Sequence, residues 1–156
     1  MISVLFVCLG NICRSPLAEA AFRAEAERQG LEVEVDSAGT GEWHVGRPPD
    51  PRSIAVAARN GVDIAHLRAR QVRPADFERF DHVVALDREN LAALRRMRPP
   101  SARAQLSLLL DHVEGREGQA VADPYYGEAE HFDLAWQDAV SGAEGLARRL
   151  ARGAVR

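Results

Sequence analysis

Lysine is absent from this 156-residue chain, and all 20 basic residues are arginine. No lysine is available for a Schiff base or for gripping a phosphate, so any such cationic role falls to arginine. Cysteine is scarce too. The two present, Cys8 and Cys13, do not make a secreted disulfide framework, and a reducing cytoplasm is the expected compartment. No apolar run approaches the length that spans a bilayer, so no membrane segment is expected. Net charge is -3 and the isoelectric point near 6.0, which argues against coating nucleic acid or an anionic membrane. The five histidines, His44, His66, His82, His112 and His131, lack ligand-like spacing, so neither metal nor cofactor is expected.

What is present is ordinary for a globular chain: 46% hydrophobic and 28% charged residues, enough for one domain, residues 1–156, with a real core. Ile2 to Val7 is a continuous apolar run rich in β-branched residues, as in a central strand buried on both faces. It lacks a basic leader and runs into a glycine-containing turn, so it reads as a strand and not a signal peptide. A helix follows, with Ser15 able to cap it, Pro16 at its first position, and Leu17, Ala20, Ala21 and Ala24 marking one face. Gly30 ends it. Val33 and Val35 alternate with glutamates in a more exposed strand ending near Asp36.

Thr40 to Pro51 reads as a long loop. Arg52 to Asn60 is helical and stops at Gly61. Phe77 to Phe80 is a short helical turn, and His82 to Leu86 another buried strand. Asp87 starts a helix through Met97, halted by Pro99 and Pro100. Leu106 to Leu110 is the last apolar run. Phe132 to Leu150 forms a final helix with Leu134, Val140, Leu146 and Leu150 inward. Strands alternating with helices predict an α/β fold, a four-stranded parallel sheet with helices on both faces. Ligands in such sheets bind beyond the carboxyl ends of the strands, so the turn after the first strand is the place to look.

That turn reads Cys8-Leu9-Gly10-Asn11-Ile12-Cys13-Arg14-Ser15, followed by Pro16. A loop between a strand end and a helix start aims backbone N–H groups into one concavity, and the helix dipole adds positive potential. Gly10 and Asn11 tolerate the positive φ angles that such a nest needs. Arg14 supplies a planar fork for two phosphate oxygens. A cysteine at the rim is placed to attack phosphorus, since the thiolate is the nucleophile and a helix N-terminus beside an arginine favours it. Ser15 is placed to donate its hydroxyl to that sulfur. Read alone, a Cys-x5-Arg spacing is weak; the preceding apolar strand and the following Ser-Pro give it weight.

Cleaving a phosphate monoester also needs a proton for the leaving oxygen. Asp123-Pro124-Tyr125-Tyr126-Gly127 offers one, with Pro124 holding Asp123 extended and Gly127 closing the turn. The adjacent tyrosines suit the wall of a slot for an aromatic ring. Alone this is a turn with two tyrosines. Its weight comes from pairing with the cysteine loop.

With these two loops, the chain resembles a low-molecular-weight protein tyrosine phosphatase from end to end. Asp36-Ser37-Ala38-Gly39-Thr40, Trp43-His44-Val45-Gly46, His66 with Ala69-Arg70-Gln71, and Asp87-Arg88-Glu89-Asn90 also resemble family segments. The resemblance implies that Cys8 is the nucleophile, Arg14 the phosphate-binding cation and Asp123 the general acid and then base. Leu9, Gly10, Asn11, Ile12, Cys13 and Ser15 would form the phosphate loop, and Trp43, Tyr125 and Tyr126 the entrance. Asn11, Ser37 and His66 would share a hydrogen-bond network that holds the loop, with Glu19 and Asp87 beside His66. Cys13 would trap an oxidised Cys8 as a disulfide. The implied partner is a tyrosine-phosphorylated protein, a tyrosine kinase among the candidates, for a monomer or weak homodimer.

Three other readings compete. Arsenate reduction on this scaffold needs further thiols, and no cysteine follows Cys13. In phosphoarginine phosphatases, the resemblance suggests, a small polar residue stands where this chain has Ile12. A domain that only binds phosphate is the third, and the joint presence of thiol, arginine and aspartate argues against it.

Overall fold

Side chains of strand β1 (Ile2–Cys8) alternate between two faces, and this divides the core in two. Val4 and Phe6 point to one layer, and Leu5 and Val7 to the other; all four are fully buried. The computed structural model describes residues 1–154. Its sheet joins β1, β2 (Val33–Gly39), β3 (His82–Ala85) and β4 (Gln105–Leu108), all parallel, in the order β2-β1-β3-β4. Helices α1 (Arg14–Arg28), α2 (Pro51–Arg59) and α5 (Ala129–Ala154) cover the Val4–Phe6 face. The short α3 (Asp76–Arg79) and α4 (Arg88–Met97) cover the other. The expected four-stranded parallel sheet with helices on both faces is found.

The strand order places the site. From β1 the chain crosses to β2 on one side and later to β3 on the other, so a crevice opens at the carboxyl end of β1. Cys8 is the last residue of that strand.

Several local expectations are corrected. Cys13, not Ser15, occupies the capping position of α1, and no side chain caps it; the Ser15 hydroxyl is engaged elsewhere. Helix α1 is buried nearly all round, with Ala18, Phe22 and Ala26 inside and Ala24 only partly so, because it lies between the sheet and α5. Strand β2 runs past Asp36 to Gly39, since its pairing with β1 continues to Cys8↔Gly39 despite the polar Asp36 and Ser37. The run Leu106 to Leu110 splits: β4 stops at Leu108, and Leu109–His112 make a 3-10 turn. Helix α5 starts earlier and buries Phe132, Ala135, Trp136, Ala139, Ala143, Leu146 and Ala147, a stripe at i, i+3, i+4 spacing. Leu134 lies off that stripe and is 57% exposed. Gly142 and Gly145 let α5 close on the 3-10 turn, for a Cβ at Gly145 would lie 1.8 Å from the His112 carbonyl oxygen. Among the described residues no helix is long and apolar enough to cross a membrane.

Candidate active site

The cysteine loop is built around Asn11, whose φ of 59° is the left-handed conformation. Asparagine tolerates it, and the turn it makes aims the Asn11 N–H at Cys8 Sγ, 3.3 Å away. The Asn11 amide then ties three segments together. Its Oδ1 accepts from the Arg70 N–H at 3.0 Å. Its Nδ2 donates to Ser15 Oγ at 2.8 Å and to Ser37 Oγ at 3.0 Å. Because Ser15 Oγ accepts from Asn11, its own proton is free for Cys8 Sγ, 3.0 Å away. Ser37 in turn donates to Glu19 Oε1 at 2.7 Å. Burial raises the pKa of Glu19, against the opposing pull of Ser37 and Arg23.

Gly39 closes the loop from the strand side. A Cβ there would stand 2.8 Å from the Leu9 carbonyl oxygen and 3.1 Å from the Gly10 carbonyl carbon, so only glycine allows this approach. Beyond it, the N–H groups of Thr40 and Gly41 donate to the Cys8 and Leu9 carbonyls, both at 2.9 Å. The Cys8 and Leu9 carbonyls are thereby used.

Arg14 is 3% exposed and held through one of its terminal nitrogens. Nη1 donates to Asp87 Oδ2 at 2.7 Å and to the Val121 carbonyl at 2.9 Å, while Nη2 lies 3.6 Å from Asp123 Oδ2. Burial opposes its charge, but Cys8, Asp87 and Asp123 outweigh that and hold its pKa above the ordinary value. Asp87 divides its oxygens: Oδ2 holds Arg14, and Oδ1 accepts from the Asn90 N–H at 2.7 Å to cap α4. Asp123 is the outermost of the three, its side chain 39% exposed, with Oδ1 accepting from the Tyr125 N–H at 3.1 Å.

One cavity of about 400 Å³ gathers these groups, lined by Cys8, Leu9, Gly10, Ile12, Cys13, Arg14, Trp43, His44, Asp123, Tyr125 and Tyr126. Cys8 lies in its floor at 2% exposure; Trp43 at 70% and Tyr126 at 95% stand at its mouth. The Tyr125 and Tyr126 rings meet edge to face at 4.9 Å. Cys13 is buried, and desolvation, with Asp50, Cys8 and Asp123 adding to it, pushes its pKa up to about 12. It stays a neutral thiol near neutral pH, a poor form for attacking an oxidised sulfur.

Two expected placements differ. His66 is exposed and makes no hydrogen bond among the described residues; it lines a surface groove with Glu19 and Arg23. The Arg70 backbone N–H takes the Asn11 oxygen, and Leu67 packs toward the core instead. Asp87 pairs with Arg14, not with His66, because it sits at the β3 end beneath the guanidinium. Sequence reasoning also missed His44 as a lining residue, Gly39 as the close-approach glycine and Arg70 as a backbone donor. Only Gly39 left a signal, a glycine at a strand end. Among the described residues no three His, Cys, Asp or Glu side chains gather to hold a metal ion.

A thiol on an oxyanion nest, beside a buried arginine and an exposed carboxylic acid, defines a cysteine-dependent phosphatase site. The sequence pattern described as "Low molecular weight phosphotyrosine protein phosphatase" matches residues 3–155. The chain is 48% identical over 134 residues to the low molecular weight phosphotyrosine protein phosphatase of Schizosaccharomyces pombe, covering 84% of this chain and 85% of that one. It is also 48% identical over 128 residues to YfkJ of Bacillus subtilis, a low molecular weight protein-tyrosine-phosphatase, covering 81% and 82%. Its fold superposes on the crystal structure of a protein tyrosine phosphatase from Entamoeba histolytica with a TM-score of 0.93, at 32% identity and 99% coverage of both chains. The chain belongs to the low molecular weight phosphotyrosine protein phosphatase family, and it is a protein-tyrosine phosphatase.

Proposed function

We propose that the chain hydrolyses phosphotyrosine in protein substrates through a phosphocysteine on Cys8, without a metal. One observation carries this reading: Asp123, far in sequence from Cys8 and Arg14, joins them in lining one cavity whose walls are aromatic and aliphatic. Cys8 Sγ attacks phosphorus in line with the ester oxygen, and the P–O bond to tyrosine breaks. Asp123 gives its proton to the departing phenolic oxygen. The loop N–H groups and Arg14 hold the equatorial oxygens as charge redistributes. The Asp123 carboxylate then takes a proton from water, which attacks phosphorus and releases phosphate and Cys8. The Ser15 hydroxyl, already directed at Sγ, stabilises the sulfur as it leaves.

Leu9, Ile12, Trp43, Tyr125 and Tyr126 give the cavity apolar walls suited to a phenyl ring. By the family resemblance, the aliphatic Ile12 favours phosphotyrosine over phosphoarginine. Both cysteines are unpaired, which fits a reducing compartment, and the cytoplasm is the location we propose.

Hydrolysis of p-nitrophenyl phosphate and of a phosphotyrosine peptide, with chelator present, tests the reading in wild type, Cys8→Ser and Asp123→Ala. Turnover should vanish in Cys8→Ser and fall by about 10²–10⁴ in Asp123→Ala on the peptide. Activity surviving in Cys8→Ser overturns the nucleophile, and faster release of phosphate from a phosphoarginine peptide overturns the substrate class.

A further inference from the structure

The segment carrying Asp123 is held to the protein at two places. On its N-terminal side, the Val121 N–H donates to the Leu86 carbonyl at 2.8 Å and the Val121 carbonyl accepts from Arg14. On its C-terminal side the tie is Arg52, in the first turn of α2. Arg52 Nη2 donates to the Tyr125 carbonyl at 3.0 Å and Nη1 to the Gly127 carbonyl at 3.2 Å. Its guanidinium carbon lies 4.5 Å from the Phe132 ring centre and 5.8 Å from that of Tyr125. The fork therefore spans both carbonyls while stacked on an aromatic face, a geometry that lysine cannot reproduce.

Arg52 is itself fixed. Asp50 accepts from its Nε at 3.0 Å, its Nη2 at 2.9 Å and its backbone N–H at 2.8 Å. The Asp50 N–H in turn donates to the Ile12 carbonyl at 2.8 Å, inside the cysteine loop. A continuous path thus runs from Ile12 through Asp50 and Arg52 to Tyr125 and Gly127, on the C-terminal side of Asp123 in its turn. It joins the loop of the nucleophile to the loop of the acid through Asp50 and Arg52, neither of which lines the cavity.

The geometry points to Arg52 as a positioning residue for the general acid, locking the Asp123 turn at a fixed distance from the Cys8 loop. This rests on the phosphatase reading above, in which Asp123 protonates the leaving oxygen. The acid loop is accordingly pre-set before substrate binds, not a lid that swings in. The aromatic and charged contacts of Arg52 act through the backbone of Tyr125 and Gly127, so its loss should blunt proton donation and spare attack by sulfur.

Leaving-group dependence separates these effects. Arg52→Met keeps packing against Phe132 and removes the donors. With phenyl phosphate, whose oxygen needs the proton, kcat/KM should fall by about tenfold to a hundredfold, the cost of a misplaced catalytic group. With 2,4-dinitrophenyl phosphate, whose oxygen leaves unaided, it should change by less than about threefold. In an Asp123→Ala background the same substitution should add nothing with either ester. An equal loss with both esters, no loss, or losses that multiply in the double variant would overturn the assignment. If Asp123→Ala alone shows no steeper leaving-group dependence than wild type, the acid reading itself fails. If Asp123→Ala does and Arg52→Met does not, only the role given to Arg52 falls.

Discussion

Replacing Asn11 by alanine tests the loop's construction most directly, because the structure splits its cost into separable parts. The left-handed backbone at φ 59° costs an alanine roughly 1–2 kcal/mol. Removing Oδ1 leaves the Arg70 N–H without its partner, and a buried donor so orphaned costs about 1–3 kcal/mol. Ser15 and Ser37 each lose a bond but keep Cys8 and Glu19, so those losses are about 0.5–1.5 kcal/mol each. Allowing for water entering the space, the sum is roughly 3–5 kcal/mol. For a chain of this size that lowers Tm by about 2–4 °C per kcal/mol. Asn11→Gly loses the same bonds but relieves the strain, and its extra unfolded-state freedom takes back about 0.5–1 kcal/mol. Glycine should therefore be the more stable variant by about 0.5–1 kcal/mol. Urea denaturation of reduced protein reads both differences. A glycine variant less stable than the alanine one refutes the strain argument; both lying within about 0.5 kcal/mol of wild type refutes the network's role in stability.

Other expected outcomes follow from single sites. Gly145→Ala gains up to about 1 kcal/mol of helix propensity but drives a methyl into the His112 carbonyl; urea midpoints should show a net loss of about 1–3 kcal/mol, and a gain would mean that α5 does not pack there. His112 Nδ1 accepts from Arg149 at 3.1 Å, so its proton sits on Nε2 facing Ser107. Burial, with Arg149 adding to it, lowers the His112 pKa to about 4. The unfolded imidazole titrates near its ordinary ~6.5, so the native state gains from neutral His112 above that pH and loses the gain as pH falls toward 4. Denaturation across that range should show a steeper loss in wild type than in His112→Gln. With its thiol held at a pKa of about 12, Cys13 in a Cys8→Ser protein should resist iodoacetamide near neutral pH until denaturant is added; rapid labelling of the folded protein would contradict its burial.

How much was legible in the sequence depended on whether a feature is local. The Cys8–Ser15 loop could be read because its thiol, glycine, asparagine and arginine are contiguous and stand between a strand and a helix. The sheet followed from apolar runs set between helical stretches. Asp123 was readable only by pairing two distant loops. Partners supplied by tertiary approach left little trace: a backbone N–H, as at Arg70, carries no residue signature at all. His66 was set in the network only by the family resemblance, whereas the chain turns it outward and Leu67 inward. Asp87 read correctly as the start of a helix, yet its second oxygen, the one on Arg14, has no sequence correlate. Leu134 was placed inside by its hydrophobicity, and helical spacing, applied strictly, removes it.

Beyond Asn11, Arg14 and Ser15 of its own loop, the groups that build the site around Cys8 come from later parts of the chain: Ser37 and Gly39, then Arg70, Asp87, Val121 and finally Asp123. Cys8 is made before all of these partners, and Asp123 after the rest. During synthesis the Cys8 segment therefore precedes most of its cradle and the Asp123 carboxylate, and Arg14 lacks its second acceptor until Val121 has emerged. Contacts at such sequence separation form late in folding. A nascent or truncated chain that ends before Val121 can carry the cysteine loop and even the whole sheet without Asp123, so phosphatase activity reports completion of the acid segment and not the presence of the first strand.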